Sequence, residues 1–164
     1  MKSSKIAING FFGRMGQAIY ELSLKQKFDV TVGIDIKEKL QSDLDVKFSD
    51  NLSEYSELFD VVIDFSLPEP CINAVKACQK LKKPITIGTT GFSLDQKKLL
   101  TEASKEIPLL LAPHMSIGVN ASLKSISELS KLLSGYEVSI EETHHKNKLD
   151  SPSGTALKIA EVVG

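Results

Sequence analysis

The densest group of reactive side chains lies near the end of the chain, within Glu141–Thr155. His144 and His145 are adjacent imidazoles, which titrate near neutral pH and can transfer protons. Lys148 places a cation close to them, and Ser153–Thr155 precedes a helical pattern whose first amides can bind an anion such as a carboxylate. These residues are suited to proton transfer beside a bound carboxylate, although a polar loop that caps a helix would contain the same residue types.

A second group lies near the amino terminus, where Gly10, Gly13 and Gly16 recur every third residue at a strand-to-helix turn. Glycines with this spacing allow a tight turn, let the backbone approach a pyrophosphate and let the helix pack closely on the strand. Asp35 ends the second strand-like segment about 20 residues later, where its carboxylate can accept the ribose hydroxyls of NAD. The combination predicts a dinucleotide site, and the alternative is an ordinary tight turn.

Two basic side chains bear on which dinucleotide would bind. Arg14 is the single arginine of the chain, and a guanidinium at this turn can stack on adenine or hold a phosphate; a chance surface arginine is the alternative. Lys37 follows Asp35 by two residues and could meet a 2′-phosphate, although a solvated lysine is the commoner case. The sequence therefore allows NADH or NADPH, with Asp35 favouring NADH.

The elements that must position these residues alternate between strand and helix. β-Rich runs occur at Lys5–Asn9, Val30–Ile34, Val46–Phe48, Val61–Asp64, Pro84–Gly88 and Pro108–Leu111, with helical periodicity at Met15–Lys25, Pro70–Leu81 and Leu94–Lys105. The alternation predicts an α/β fold, a Rossmann-type parallel sheet with helices on both faces. Because ligands bind at the carboxyl ends of parallel strands, the loops Asp64–Ser66, Gly88–Phe92 and Ala112–Ser116 are expected beside the glycine turn, where they suit a nicotinamide ribose and ring.

The pattern changes after Pro113, and we place a domain boundary near Met115. Residues 1–115 are interpreted as a dinucleotide-binding Rossmann domain, and residues 116–164 as the truncated start of an α+β substrate-binding and oligomerisation domain. Apolar residues at three- and four-residue steps predict a helix over Val119–Leu133, and the alternation over Tyr136–Glu141 predicts a half-buried strand. One helix and one half-buried strand cannot bury the face of a sheet on their own. The chain is therefore expected to be a fragment, or this part of it to pack against something else.

Composition argues against several classes of protein. The 164 residues include 20 Lys+Arg and 21 Asp+Glu, and a net charge of −1 does not favour a nucleic-acid partner. No apolar run approaches the roughly 18 residues that cross a bilayer, and the amino terminus does not resemble a signal peptide, so a cytoplasmic protein is expected. Cys71 and Cys78 lie about 10 Å apart along a predicted helix, which is too far for a disulfide, and no Cys/His spacing suits a metal.

Five segments, in this order, resemble 4-hydroxy-tetrahydrodipicolinate reductase, also called dihydrodipicolinate reductase. They are Gly10–Gly16, Asp64–Ser66, Gly88–Phe92, Ser116–Asn120 and His144–Ala156. The resemblance covers essentially the whole chain, and the last segment is highly specific to that family. It implies a cytoplasmic enzyme of the diaminopimelate route to lysine, a homotetramer at full length, that reduces a cyclic dicarboxylate to tetrahydrodipicolinate with NADH or NADPH.

The resemblance also implies roles for individual residues. His144 is expected to be the proton donor and acceptor, and Lys148 the other proton donor. Substrate carboxylates would be held by His145, Lys148, Ser153, Gly154 and Thr155. The dinucleotide would contact Gly10, Phe11, Phe12, Gly13, Arg14, Met15, Asp35, Gly88, Thr89, Thr90, Ala112, Pro113, His114 and Met115.

Three features depart from the family pattern. Phe12 stands where the family often has a small residue, and His114 where it usually has asparagine. Members of the family also continue well beyond the point that matches Gly164. One alternative is therefore a dinucleotide-binding module that does no chemistry because its substrate domain cannot form. Another is a semialdehyde or homoserine dehydrogenase; the lack of a cysteine near Gly91 argues against the former, and the His-His-Lys loop against both.

Overall fold

The computed structural model describes residues 4–36, 44–112, 114–144, 146 and 151–164. The chain divides into two units, residues 1–112 and residues 113–164. The division falls next to Pro113, after which the apolar pattern of the sequence changes.

The first unit is built on a six-stranded sheet in which every neighbouring pair of strands is parallel. Its strands are β1 Lys5–Asn9, β2 Asp29–Ile34, β3 Lys47–Ser49, β4 Val61–Asp64, β5 Ile85–Ile87 and β6 Leu109–Leu111. They lie in the order β3-β2-β1-β4-β5-β6, which is that of a doubly wound dinucleotide-binding sheet. The predicted Rossmann-type fold is confirmed, and the predicted strand bounds differ from the observed ones by at most one residue.

Among the described residues, three helices and a 3₁₀ segment connect these strands. They are α1 Arg14–Gln26, the 3₁₀ segment Leu52–Leu58, α2 Pro68–Leu81 and α3 Leu94–Ala103. A capping box defines the start of α3: the Ser93 hydroxyl accepts from the Gln96 amide at 3.2 Å, and the Gln96 side chain accepts from the Ser93 amide at 2.9 Å. Helix α2 begins two residues before the predicted start, because Pro68 is compatible with the first turn of a helix.

Apolar side chains cover both faces of the sheet. Ala7 and Ile8 are neighbours in β1, are both fully buried, and belong to different apolar clusters because successive residues of a strand point to opposite faces. The larger cluster includes Val75 of α2 and Leu100 of α3, and the smaller one is centred on Phe11. Burial on both faces explains why these strands are nearly continuous apolar runs in the sequence.

The described residues of the second unit form two helices, α4 Ile117–Leu132 and α5 Gly154–Val163, which pack against each other. The strand predicted over Tyr136–Glu141 is wrong: the backbone there forms no strand, and Tyr136 and Val138 are 75% and 60% exposed. A strand needs a partner for its backbone hydrogen bonds, and the described residues of this unit provide none. None of the helices in the described part of the chain has the length and apolar character needed to span a bilayer.

Candidate functional site

A cavity of about 570 Å³ lies at the carboxyl ends of β1, β2 and β4. It is lined by Gly10 and Gly13 of the glycine turn, by Asp35 after β2, by Ser66 after β4, and by one face of α2 that includes Asn73. Ligands of open parallel sheets bind outside the carboxyl ends of the strands, where the strand order reverses. The cavity therefore lies where a doubly wound fold binds a dinucleotide.

The glycine turn is held closely against β2 and the loop after β4. The Gly10 amide donates to the Ile34 carbonyl at 2.9 Å, and the Gly13 amide donates to the Gly10 carbonyl at 3.1 Å. Gly10 has a φ of +80°, and a Cβ there would lie 2.6 Å from the Phe65 carbonyl oxygen. A Cβ on Gly16 would overlap the Gly10 carbonyl oxygen. The turn itself thus requires glycine at both positions.

The amino terminus of α1 can accept an anion. Its N-cap is Gly13, which supplies no side-chain hydrogen bond, and its first turn contains no acidic residue. The first amides of a helix have no partner within it and carry partial positive charge. Arg14 and Met15, the first two residues of the helix, are both exposed. This arrangement suits phosphate oxygens beside the cavity.

The Asp35 carboxylate is held at the cavity by two backbone amides. Its Oδ2 accepts from the Phe12 amide of the glycine turn at 2.8 Å, and its Oδ1 accepts from the Ile36 amide at 2.9 Å. Each carboxylate oxygen keeps a further lone pair with which it can accept a ribose hydroxyl. Asp35 therefore ties β2 to the glycine turn as well as presenting a fixed negative charge, and the sequence reasoning foresaw only the second role.

The side chains of the glycine turn pack away from the cavity. The Phe12 ring stacks on Phe48 with 5.2 Å between ring centroids and 28° between the planes. Phe11 packs edge-on against both rings and is fully buried. Neither phenylalanine lines the cavity. The bulk that Phe12 brings to this position is thus accommodated in the smaller apolar cluster.

A buried carboxylate links the ends of β1, β4 and β5. Asp64 is fully buried and accepts hydrogen bonds from the side chains of Asn9, Ser66 and Thr89. The Ser66 amide donates in turn to the Thr89 hydroxyl at 2.9 Å. A buried charge is tolerated only where hydrogen bonds compensate it, so the network fixes three loops at this edge. The sequence reasoning missed Asn9 and the network. The signal that could have revealed them is that each of three apolar strands ends in, or is closely followed by, a polar residue: Asn9, Asp64 and Thr89.

The other predicted dinucleotide residues of this unit follow β5 and β6. A Cβ on Gly88 would overlap the Phe65 ring, so glycine allows that ring to pack. Thr89 is buried, whereas Thr90 is exposed. Ala112 is partly buried just beyond β6. Thr89 therefore holds the loop together, and Thr90 is the threonine whose side chain is open to a ligand.

In the second unit, Glu142 joins two of the predicted site residues. Its Oε2 lies 2.9 Å from His144 Nε2, and its Oε1 accepts from the Ser153 amide at 2.8 Å. The Ser153 hydroxyl caps α5 by accepting from the Ala156 amide at 3.1 Å. Hydrogen bonds from Ser153 and His144 lower the pKa of the Glu142 carboxyl to about 2. The sequence reasoning gave Glu142 no role.

The remaining predicted site residues divide into two groups. Those outside the described residues are Pro113, His145 and Lys148, and Lys37 is outside them as well. His114 and Met115 belong to the second unit, where the His114 ring lies 3.9 Å from the position of a Cβ on Gly154. Gly154 and Thr155 form the first turn of α5, next to Ser153.

The two cysteines are buried structural residues. Burial, reinforced by the negative charge of Asp64, raises the pKa of the Cys71 thiol, and burial raises that of Cys78 to about 12. Both thiols are free, and the described residues contain no group of three or more side chains that could hold a metal ion. Thiolate chemistry is disfavoured at both positions.

Comparison with known proteins gives matches along nearly the whole chain. A family model described as "Dihydrodipicolinate reductase, N-terminus" matches residues 4–115, and one described as "Dihydrodipicolinate reductase, C-terminus" matches residues 118–164. The 4-hydroxy-tetrahydrodipicolinate reductase of Caldanaerobacter subterraneus subsp. tengcongensis is 41% identical over 160 residues, which are 97% of this chain and 62% of that protein. The enzyme of the same name from Pseudomonas fluorescens is 38% identical, with coverage of 97% and 65%. This chain therefore spans less than two thirds of the length of these relatives.

Solved structures give a similar picture. The dipicolinate-bound dihydrodipicolinate reductase of Paenisporosarcina sp. TG-14 superposes with a TM-score of 0.74 at 26% identity, covering 99% of this chain and 66% of that one. A homoserine dehydrogenase of S. aureus superposes with a TM-score of 0.53 at 18% identity over 68% of this chain and 32% of that one, a likeness of fold alone.

Proposed function

The chain belongs to the dihydrodipicolinate reductase family, and from this premise we propose that the protein reduces 4-hydroxy-tetrahydrodipicolinate to tetrahydrodipicolinate with NADH or NADPH. The reaction replaces a hydroxyl by hydrogen, so it consumes one hydride and one proton and releases water. It would belong to the diaminopimelate route to lysine, in the cytoplasm, and the full-length protein would be a homotetramer. The observation that carries the proposal is the cavity between the glycine turn and Asp35.

The first unit fits a nicotinamide dinucleotide, which supplies the hydride when bound. The open amides at the start of α1 would hold its pyrophosphate, next to Gly10 and Gly13, which line the cavity. Asp35 would accept its adenosine ribose hydroxyls and disfavours a 2′-phosphate at the same place. We expect the exposed Thr90 to lie beside the nicotinamide end.

The second unit supplies groups for a dicarboxylate. The relative from Paenisporosarcina was solved with dipicolinate bound, which supports a ligand with two carboxylates. The first amides of α5, at Gly154 and Thr155, would hold one carboxylate together with Ser153 and His145. His144 would donate the proton, and Lys148 would be the second proton donor and a further carboxylate contact.

The test is steady-state turnover of the full chain, followed by the loss of nicotinamide absorbance. We expect His144→Gln and Lys148→Ala each to lower kcat by about 10²-fold or more, because a proton donor is lost. Lys146→Ala is the matched control, since Lys146 is an exposed cation of the same loop. Variants with wild-type turnover would show that the assigned roles are wrong. NADH binding without any wild-type turnover would instead indicate a dinucleotide-binding module.

A further inference from the structure

Glu142 lies between His144, the proposed proton donor, and the start of α5, the proposed carboxylate site. One of its carboxylate oxygens bonds to the His144 imidazole and the other to the Ser153 amide, where α5 begins. We propose that Glu142 is a positioning residue, which orients His144 for proton transfer and holds it at a fixed place relative to the anion-binding end of α5. The inference rests on the proposed function, because it assigns Glu142 an effect on the reaction through His144.

The backbone places Glu142 and His144 together for a simple reason. No helix or strand is formed at residues 141–144, and Glu142 and His144 are two positions apart, the spacing that puts side chains of extended chain on one side. The neighbouring Glu141 is exposed, whereas the Glu142 side chain is 23% exposed. Two carboxylates adjacent in sequence thus have different environments, and only one of them contacts the histidine.

The hydrogen bond determines which imidazole nitrogen is available. A carboxylate at Nε2 favours the tautomer with its hydrogen on Nε2. Nδ1 is then the nitrogen from which His144 can pass a proton to a ligand. Glu142 can act in this way across the neutral range because its carboxyl, with a pKa of about 2, remains ionised there.

The second hydrogen bond connects this histidine to the substrate-binding helix. The Ser153 amide donates to Glu142, while the Ser153 hydroxyl caps α5. The carboxylate thereby joins His144 to Ser153, nine positions later in the chain. Efficient proton transfer requires a fixed distance between donor and acceptor, and the bridge through Glu142 limits how far the imidazole can move relative to the start of the helix.

The decisive variant is Glu142→Gln, with Glu141→Gln as the matched control. Glutamine keeps the side-chain size and an acceptor for the Ser153 amide, but it has no charge and its NH₂ group favours the other imidazole tautomer. We expect kcat to fall at least about 10-fold with the KM for NADH unchanged, and Glu141→Gln to match the wild type. In the His144→Gln background, adding Glu142→Gln should have no further effect on kcat, because Glu142 acts through the histidine.

A spectroscopic measurement separates this inference from the proposed function. Nitrogen NMR of the neutral His144 imidazole should show hydrogen mainly on Nε2 in the wild type and in Glu141→Gln, with a several-fold change in tautomer ratio in Glu142→Gln. An unchanged tautomer ratio in Glu142→Gln would overturn the inference. So would a loss of kcat from Glu142→Gln that is equally large in the wild-type and in the His144→Gln background. If the wild-type protein shows no turnover, the proposed function is refuted, but the inference about Glu142 is still tested, because the tautomer ratio of His144 can be measured without turnover.

Discussion

Replacing Gly10 by alanine tests whether close approach of the backbone shapes the glycine turn. Gly10 and Gly91 have nearly equal positive φ angles, +80° and +84°, which an alanine rarely adopts, so a substitution at either position is strained in φ. The space around them differs. A Cβ on Gly10 would lie 2.6 Å from the Phe65 carbonyl oxygen, whereas the nearest atom to a Cβ on Gly91 is Pro68 Cγ at 3.9 Å. Gly91→Ala is therefore a matched control, because it introduces an alanine at a similar φ without crowding the added methyl group.

The expected costs follow from these two differences. A left-handed conformation costs an alanine about 1–2 kcal/mol, partly offset by roughly 0.5 kcal/mol from the smaller entropy of its unfolded chain. Gly91→Ala should thus lose about 1 kcal/mol of unfolding free energy. Gly10→Ala carries the same cost plus the overpacking of a methyl group against backbone that cannot rotate away, about 1–3 kcal/mol more. Its total loss should be about 2–4 kcal/mol.

Urea unfolding followed by circular dichroism, with the three proteins in the same buffer, measures both losses. Gly10→Ala should also weaken NADH binding, because the turn must move away from the loop after β4 to make room for the methyl group. Equal losses of unfolding free energy for Gly10→Ala and Gly91→Ala would refute the reasoning. They would mean that the turn relaxes without cost and that glycine is needed there for its φ alone.

Three further predictions concern polar groups. Thr89→Val removes the hydroxyl that donates to Asp64 Oδ1 and accepts from the Ser66 amide, and leaves Oδ1 the longer bond from that amide at 3.4 Å. It should cost about 1–3 kcal/mol in urea unfolding, and a loss under about 0.5 kcal/mol would contradict the role of the network. Asp35→Asn keeps an acceptor but removes a charge, so the ratio of kcat/KM for NADPH to that for NADH should rise about 10-fold, and a constant ratio would exclude selection by this charge. The pKa of Glu142 in the folded protein, about 2, lies below its ordinary value of 4.5, so the stability gained from Ser153 is present above pH 4.5 and lost as the pH falls towards 2. The difference in urea midpoint between wild type and Glu142→Gln should therefore shrink from about pH 6 to about pH 3, and a difference independent of pH would contradict this.

Much of the first unit could be predicted because its signals are local. Each strand is a short apolar run bounded by turn residues, and strand-helix alternation restricts the chain to a parallel sheet covered on both faces. The turn at Gly10 and Gly16 and the acidic residue at the end of β2 are likewise short-range patterns. The prediction failed at Tyr136–Glu141, where alternation was taken for a strand although a strand also requires a partner.

By itself, the sequence determined which chemistry was available: glycines at a strand-to-helix turn, Asp35 after the second strand, and a histidine ahead of a capped helix. The tertiary structure decided how these groups are held. It alone showed that the Phe12 amide bonds to Asp35, that Asn9 and Thr89 converge on Asp64, and that Glu142 bridges His144 to Ser153. Such contacts join residues between 2 and 55 positions apart in directions set by packing, and residue types and spacing do not specify those directions.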